Sequence, residues 1–256
     1  MHPLQAVAVA AAGIAAGMIN TVVGSGTLIT FPVLLAVGLP PLTANVSNGL
    51  GLVPGSLFGA IGYRDELAGQ AGRLRRLGVA STIGGAGGAV LLLVLPPGAF
   101  DAIVPVLILT ALVLVLAQPL VARWLAVRRV RQVAGEPPAR DGWLLWLGAL
   151  ATGVYGGYFR AAQGVLLIGL MGVLLTESLQ RVNAVKNVLA MLANLASGIV
   201  FLIVAHVSWQ AVMLIAVGSA IGGAFGARVG RSLSPAVLRG LVVVIGVGAL
   251  AKLLLT

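Results

Sequence analysis

Residues 81–89 read STIGGAGGA and residues 219–227 read SAIGGAFGA, identical at seven of nine positions at a spacing of 138. The same spacing, without a gap, pairs Gly26 with Gly164 and Asn45 with Asn183, and sets the LPP of 95–97 against the LSP of 233–235. One such match is weak; four in one register mark a duplicated chain. Each copy also holds small residues four apart, Gly84 with Gly88 and Gly222 with Gly226. That spacing lets helix backbones approach closely in lipid.

The surroundings of both copies are apolar. Of 256 residues, 59 % are apolar and 9 % charged, with a mean hydropathy of +1.09. A soluble domain carries about 25 % charged residues, so the composition is that of a polytopic membrane protein. Apolar segments fall near 4–22, 27–39, 42–62, 77–96, 102–122, 143–162, 164–176, 183–205, 209–228 and 237–255. The first, lacking a basic n-region, reads as a membrane segment and not as a cleaved signal peptide. Spanning a bilayer takes about 20 residues. Segments 27–39 and 164–176 are therefore short, and each follows a polar, glycine-containing break.

The net charge of +10 is almost all arginine, and the arginines sit in short loops. There they report topology and not nucleic-acid binding. In the first half the loop near 63–76 carries Arg64, Arg73, Arg75 and Arg76, while the turn near 96–101 has none. In the second half the turn near 206–209 has none and 228–239 carries Arg228, Arg231 and Arg239. Keeping all basic loops in the cytoplasm requires the halves to run oppositely. The expected fold is an all-α polytopic membrane protein of two inverted-topology repeats, with discontinuous or re-entrant helices near 20–27 and 158–165. Its parts are a first repeat (1–122), a basic cytoplasmic linker with five arginines (123–141) and a second repeat (142–256). The chain is then multi-pass in the cell membrane with both termini outside. Each half crosses five times, or three times with a re-entrant pair.

The two breaks are the candidate site. Residues 20–32 read NTVVGSGTLITFP, and the counterpart at 158–165 reads YFRAAQGV. Backbone freed from a helix at membrane depth is tolerated only inside protein or along a water-filled cavity. In inverted-repeat transporters, half-helix N-termini at such breaks point at anions. Asn20, Gly24, Ser25, Gly26 and Thr27 in the first break, with Arg160, Gln163 and Gly164 in the second, are accordingly candidate substrate-binding residues. A plain loop between two tight spans is the alternative.

Arg160, Glu177, Arg181 and Lys186 lie within or beside apolar segments, and intramembrane charge points to function. Glu177 and Arg181, at i and i+4, are expected to pair. Arg160 and Lys186 are left without a carboxylate partner, a role that a bound anion would fill. Snorkelling of Lys186 and an interfacial Arg160 remain the plainer readings. Asn183, Asn187 and Asn194 share a helix face, and their counterparts are Asn45, Gly49 and Ser56, with Asn48 standing opposite Lys186. Asn45, Asn48, Asn183, Lys186 and Asn187 thus join the candidate set, with interhelical hydrogen bonding as the competing role for the asparagines.

The chain has no cysteine, and His2 and His206 have no carboxylate near them in sequence. No catalytic residue, metal site or cofactor is expected, and the chain does not read as an enzyme. The partners expected are a small anionic substrate and the lipid bilayer, with a homodimer left open.

These same stretches resemble the sulfite exporter TauE/SafE family over nearly the whole length. The likeness rests on NTVVGSGTLITFPVLLAVGLPPLTANVSN and VPGSLFGAIGYRDEL in the first half. In the second it rests on YGGYFRAAQGVLLIGLMGVLLTESLQRVNAVKNVLAMLAN. The resemblance implies secondary export of a small sulfur-containing anion of the sulfite, sulfoacetate or sulfonate class. Matching motif positions are Asn20, Gly24, Gly26, Asn45, Asn48, Gln163, Gly164, Asn183, Lys186 and Asn187. Arg160 departs from the pattern, which has a small residue there. An anion channel or a non-transporting membrane component is the alternative.

Overall fold

A computed structural model describes residues 1–132, 142–229 and 235–255. Ten helices and one short 3₁₀ turn, Arg64–Leu67, make up these residues, with no strand among them. The first half holds α1 (Pro3–Val22), α2 (Thr27–Ala36), α3 (Pro41–Gly62), α4 (Ala71–Val94) and α5 (Pro97–Gln132). The second holds α6 (Trp143–Tyr158), α7 (Gln163–Leu174), α8 (Leu179–Val204), α9 (Trp209–Val229) and α10 (Pro235–Leu255).

Prolines open several of these helices, where the missing N–H costs nothing and φ is preset. The LPP and LSP matches place Pro97 and Pro235 at the first positions of α5 and α10. Ser178 caps α8 by accepting the Arg181 amide at 3.3 Å. The starts of α3 and α8, α4 and α9, and α5 and α10 all differ by the 138 residues of the sequence repeat.

Helix α5 has 36 residues, about 54 Å at 1.5 Å per residue, and outruns a hydrocarbon core of about 30 Å. It continues to Gln132, so the first ten residues expected as linker, from Arg123, are helical. The remainder of the expected linker, 133–141, lies outside the described residues.

Five helices are long and apolar enough to cross a membrane, namely α1, α4, α8, α9 and the Gly98–Leu120 part of α5. Their outer faces expose large apolar side chains such as Leu4, Val94, Leu120, Ile203 and Val217. That pattern suits lipid, and the chain is a multi-pass membrane protein. Helices α2 and α7, with 10 and 12 residues, are too short to span.

The glycine stretches set the packing. A Cβ at Gly222 would land on the Ile14 carbonyl, and one at Gly88 on the Val154 carbonyl. These contacts join α9 to α1 and α4 to α6, crossing the sequence midpoint both times. Further contacts set α9 against α3, through Gly51–Ile215 and Gly55–Ser219, and α4 against α8, through Gly85–Ala193. Residue numbers rise together in every one of these pairs, so α1, α3 and α9 run parallel, as do α4, α6 and α8.

The two sets run oppositely. Gly198 of α8 meets Leu50 of α3, whereas Ala184 clusters with Tyr63 just past the end of α3. Their hydrogen bonds repeat as well. Ser219 Oγ donates to Gly51 O at 2.7 Å, and Ser81 Oγ donates to Leu189 O at 2.8 Å. Donors and acceptors are both related by the 138-residue spacing. The helix directions gather Arg64, Arg73, Arg75, Arg76, Arg181 and Arg228 at one end of the bundle.

Candidate functional site

Helix α1 stops at Val22, and Gly24 then takes φ +90°, which glycine adopts at little cost. Its Cα lies against Gly164, and a Cβ on either residue would strike the other's Cα. The Gly164 amide donates to Gly24 O at 3.1 Å. The breaks thus touch backbone to backbone, and α2 and α7 both start within three residues of that contact. In the second break Arg160 and Ala162 hold φ of +60°, a strained region for residues with a Cβ.

The carbonyls freed at the end of α1 are claimed by α8. Lys186 Nζ donates to Asn20 O at 2.8 Å and to Thr21 O at 3.0 Å. Asn183 Nδ2 and Asn187 Nδ2 also donate to Thr21 O, at 3.1 and 3.4 Å. The polar face expected on α8 therefore converges on the last turn of α1. A cation is favoured there by the partial negative charge of the helix C-terminus. Lys186 is fully buried, and its partners are carbonyl groups.

At the second break Asn45, the counterpart of Asn183, donates from Nδ2 to Tyr158 O at 2.8 Å. The Arg160 guanidinium turns to the same asparagine, donating from Nη1 to Asn45 O at 2.5 Å and Oδ1 at 3.1 Å. Its Nη2 reaches Ser197 Oγ at 3.5 Å, and its centre lies 5.9 Å from the Phe201 ring centroid. A Cβ at Gly49 would fall on the guanidinium, so that glycine makes its room. Arg160 is 4 % exposed, and its Nε has no partner.

Asn48, the counterpart of Lys186, secures the start of α2. It donates from Nδ2 to Thr27 Oγ1 at 3.1 Å and accepts from Thr30 Oγ1 at 2.5 Å. Asn20 Nδ2 donates to Ser56 Oγ at 3.0 Å. Ser25 Oγ and Gln163 Nε2, again 138 residues apart, are buried without a partner.

The candidate residues fall into three neighbouring groups. Gly24, Ser25, Gly26, Thr27, Gln163 and Gly164 lie at the contact between breaks, with Asn48 bonded to Thr27 there. Lys186, Asn183 and Asn187 lie with Asn20 on the arginine-rich side of it. Arg160 and Asn45 lie on the other side, against the early part of α3 and the late part of α8. Sequence reading missed the carbonyls of Thr21 and Tyr158, because a backbone acceptor leaves no residue-type signal. It also missed Thr30, Ser197 and Phe201; Gly49 and Ser56 were visible only as repeat counterparts.

Glu177 pairs with Arg181 Nε at 2.6 Å, as the i, i+4 spacing predicts, and with Arg73 Nη1 at 2.9 Å. Arg73 also donates to Gln70 Oε1 at 2.5 Å. Partial burial pushes the Glu177 carboxyl up, but the hydrogen bonds and charges of Arg73 and Arg181 outweigh it and hold the carboxyl below its usual range. Among the described residues no carboxylate bonds to Arg160 or Lys186.

Buried cations, half-helices and paired breaks lie at the core of an all-α, multi-pass membrane protein. Residues 9–253 match the sulfite exporter TauE/SafE family, and the chain belongs to it. It is similar to the probable membrane transporter protein YfcA of Escherichia coli K12, at 26 % identity over 93 % of this chain and 86 % of that one. A probable membrane transporter protein of Haemophilus influenzae is 25 % identical over 94 % of this chain and 91 % of its own. No solved structure gives a significant match.

Proposed function

We propose that the chain is a secondary transporter that exports a small sulfur-containing anion, bound between two inverted-topology repeats. The observation that carries the reading is the pair Ser25 and Gln163. Each leaves a buried hydrogen-bonding atom unpaired beside the N-terminus of a short helix, at equivalent places in the two halves. Helix N-termini carry partial positive charge, which attracts oxyanions. The family match and the names of the relatives support transport, and the family description supports sulfite or a related anion.

The arginine-rich end of the bundle is assigned to the cytoplasm, with both termini outside. Residues 1–122 and 142–256 form the two repeats on this reading. The opposite directions of α3 and α8 support it.

Export of an anion needs no carboxylate relay. An inside-negative potential contributes about 2.3 kcal/mol per charge per 100 mV, roughly a 50-fold gradient for a monoanion. The test is solid-supported-membrane electrophysiology on proteoliposomes given sulfite, sulfoacetate, sulfate and chloride jumps. A saturable current for sulfite or sulfoacetate, with the sign of anion movement, is the expected result. Folded protein that moves none of these anions, by current or by tracer flux, would overturn the reading. Flux far above carrier rates without countertransport would make the protein a channel.

A further inference from the structure

We propose that Arg160 is a specificity-determining residue whose Nε–Nη2 edge grips two oxygens of a sulfonate or sulfite group; this rests on the transport reading above. A guanidinium presents five N–H donors in one plane. In Arg160 the two Nη1 donors are spent on Asn45 O and Oδ1. Nη2 has only the 3.5 Å contact with Ser197, and Nε has no partner at all.

What remains is the side edge of the fork, where two N–H bonds point the same way. That edge fits two oxygens carried on one atom and does not fit a spherical ion equally well. Lys186 is different. Its ammonium is already held by two carbonyls at the end of α1 and serves there as a fixed cap.

The surroundings hold the Arg160 fork in place. Asn45 anchors one end, the Phe201 ring lies beside it, and only glycine at 49 leaves the space. The residue lies on the side of the Gly24–Gly164 contact away from the arginine-rich end. It is 4 % exposed, so an oxyanion there meets a largely dehydrated donor pair.

The experiment measures flux and thermal shift of the full chain in proteoliposomes with methanesulfonate, sulfite and chloride as probes. The wild type is expected to prefer methanesulfonate and sulfite over chloride. R160K keeps the charge and loses the fork, and should cut that preference at least tenfold while still moving chloride. G49A keeps Arg160 but displaces its guanidinium, and should do the same if R160K does not fold. Unchanged selectivity in a folded R160K or G49A overturns the role of Arg160 and leaves the transport reading standing. A wild type indifferent to both sulfur oxyanions overturns the two together.

Discussion

The Gly164 amide donates to the Gly24 carbonyl at 3.1 Å, and the two Cα atoms face each other with no room for a side chain between them. The bond joins the broken helices of the two halves directly. Alanine at Gly24 meets two penalties, a φ of +90° and a collision with Gly164. Together they predict a loss of roughly 2–5 kcal/mol. Alanine at Gly164 meets the collision alone and should cost less. Thermal unfolding of the two variants in detergent tests the order, and equal melting temperatures would contradict it.

Ser81 and Ser219 make the same hydrogen bond in the two halves. Each alanine variant should lose about 1 kcal/mol. S219A should lose more, because Ser219 Oγ also accepts the Gly55 amide at 3.2 Å. Urea or thermal titration of both variants measures the pair. A neutral S219A beside a destabilised S81A would show that the two packing seams are not alike.

Lys186 caps α1. Replacing it with methionine removes the buried charge but leaves Asn20 O without its donor, since Asn183 and Asn187 both turn to Thr21 O. The net effect should be a loss of about 1–3 kcal/mol, read as a lower melting temperature without any added anion. An unchanged or raised melting temperature would mean that the ammonium does not serve as a cap and is kept for a ligand.

Glu177 ties the start of α4 to the start of α8 through Arg73 and Arg181. A carboxyl held below its usual pKa contributes stability that is fully present above that pKa and lost as pH falls through the depressed value. The tie should therefore weaken in acid below pH 4.5. Partial solvent exposure limits its worth to about 1 kcal/mol. E177Q should be less stable than wild type at pH 7 and should show a shallower loss across the acid range. Parallel pH profiles of the two proteins would exclude the assignment.

Much of this architecture is legible in sequence because membrane helices are written in long apolar runs and duplications in fixed spacing. The nonapeptides at 81 and 219 name the seams before any coordinates do, since only glycine permits backbone contact at those positions. The breaks at 20–27 and 158–165 are equally plain. What they face is not. The destination of the Lys186 ammonium is a pair of peptide carbonyls, which look alike at every residue. The extension of α5 past residue 122 was hidden for a related reason. Arginines in 123–132 read as loop charge, yet arginine is a good helix former and the helix continues through them.

Helix α4 belongs to the first half by sequence but lies on α6 and α8, while α9 lies on α1 and α3. The bundles are therefore woven, each holding one strut lent by the opposite half. A chain of half this length would have no seat for its own fourth helix and could complete itself only by trading that helix with a second copy. Here the reciprocal loan is made permanent by covalent continuity. Fragments cut within 133–141 and produced together should accordingly reassemble, whereas either one produced alone should be left with an orphaned helix and be cleared by the cell.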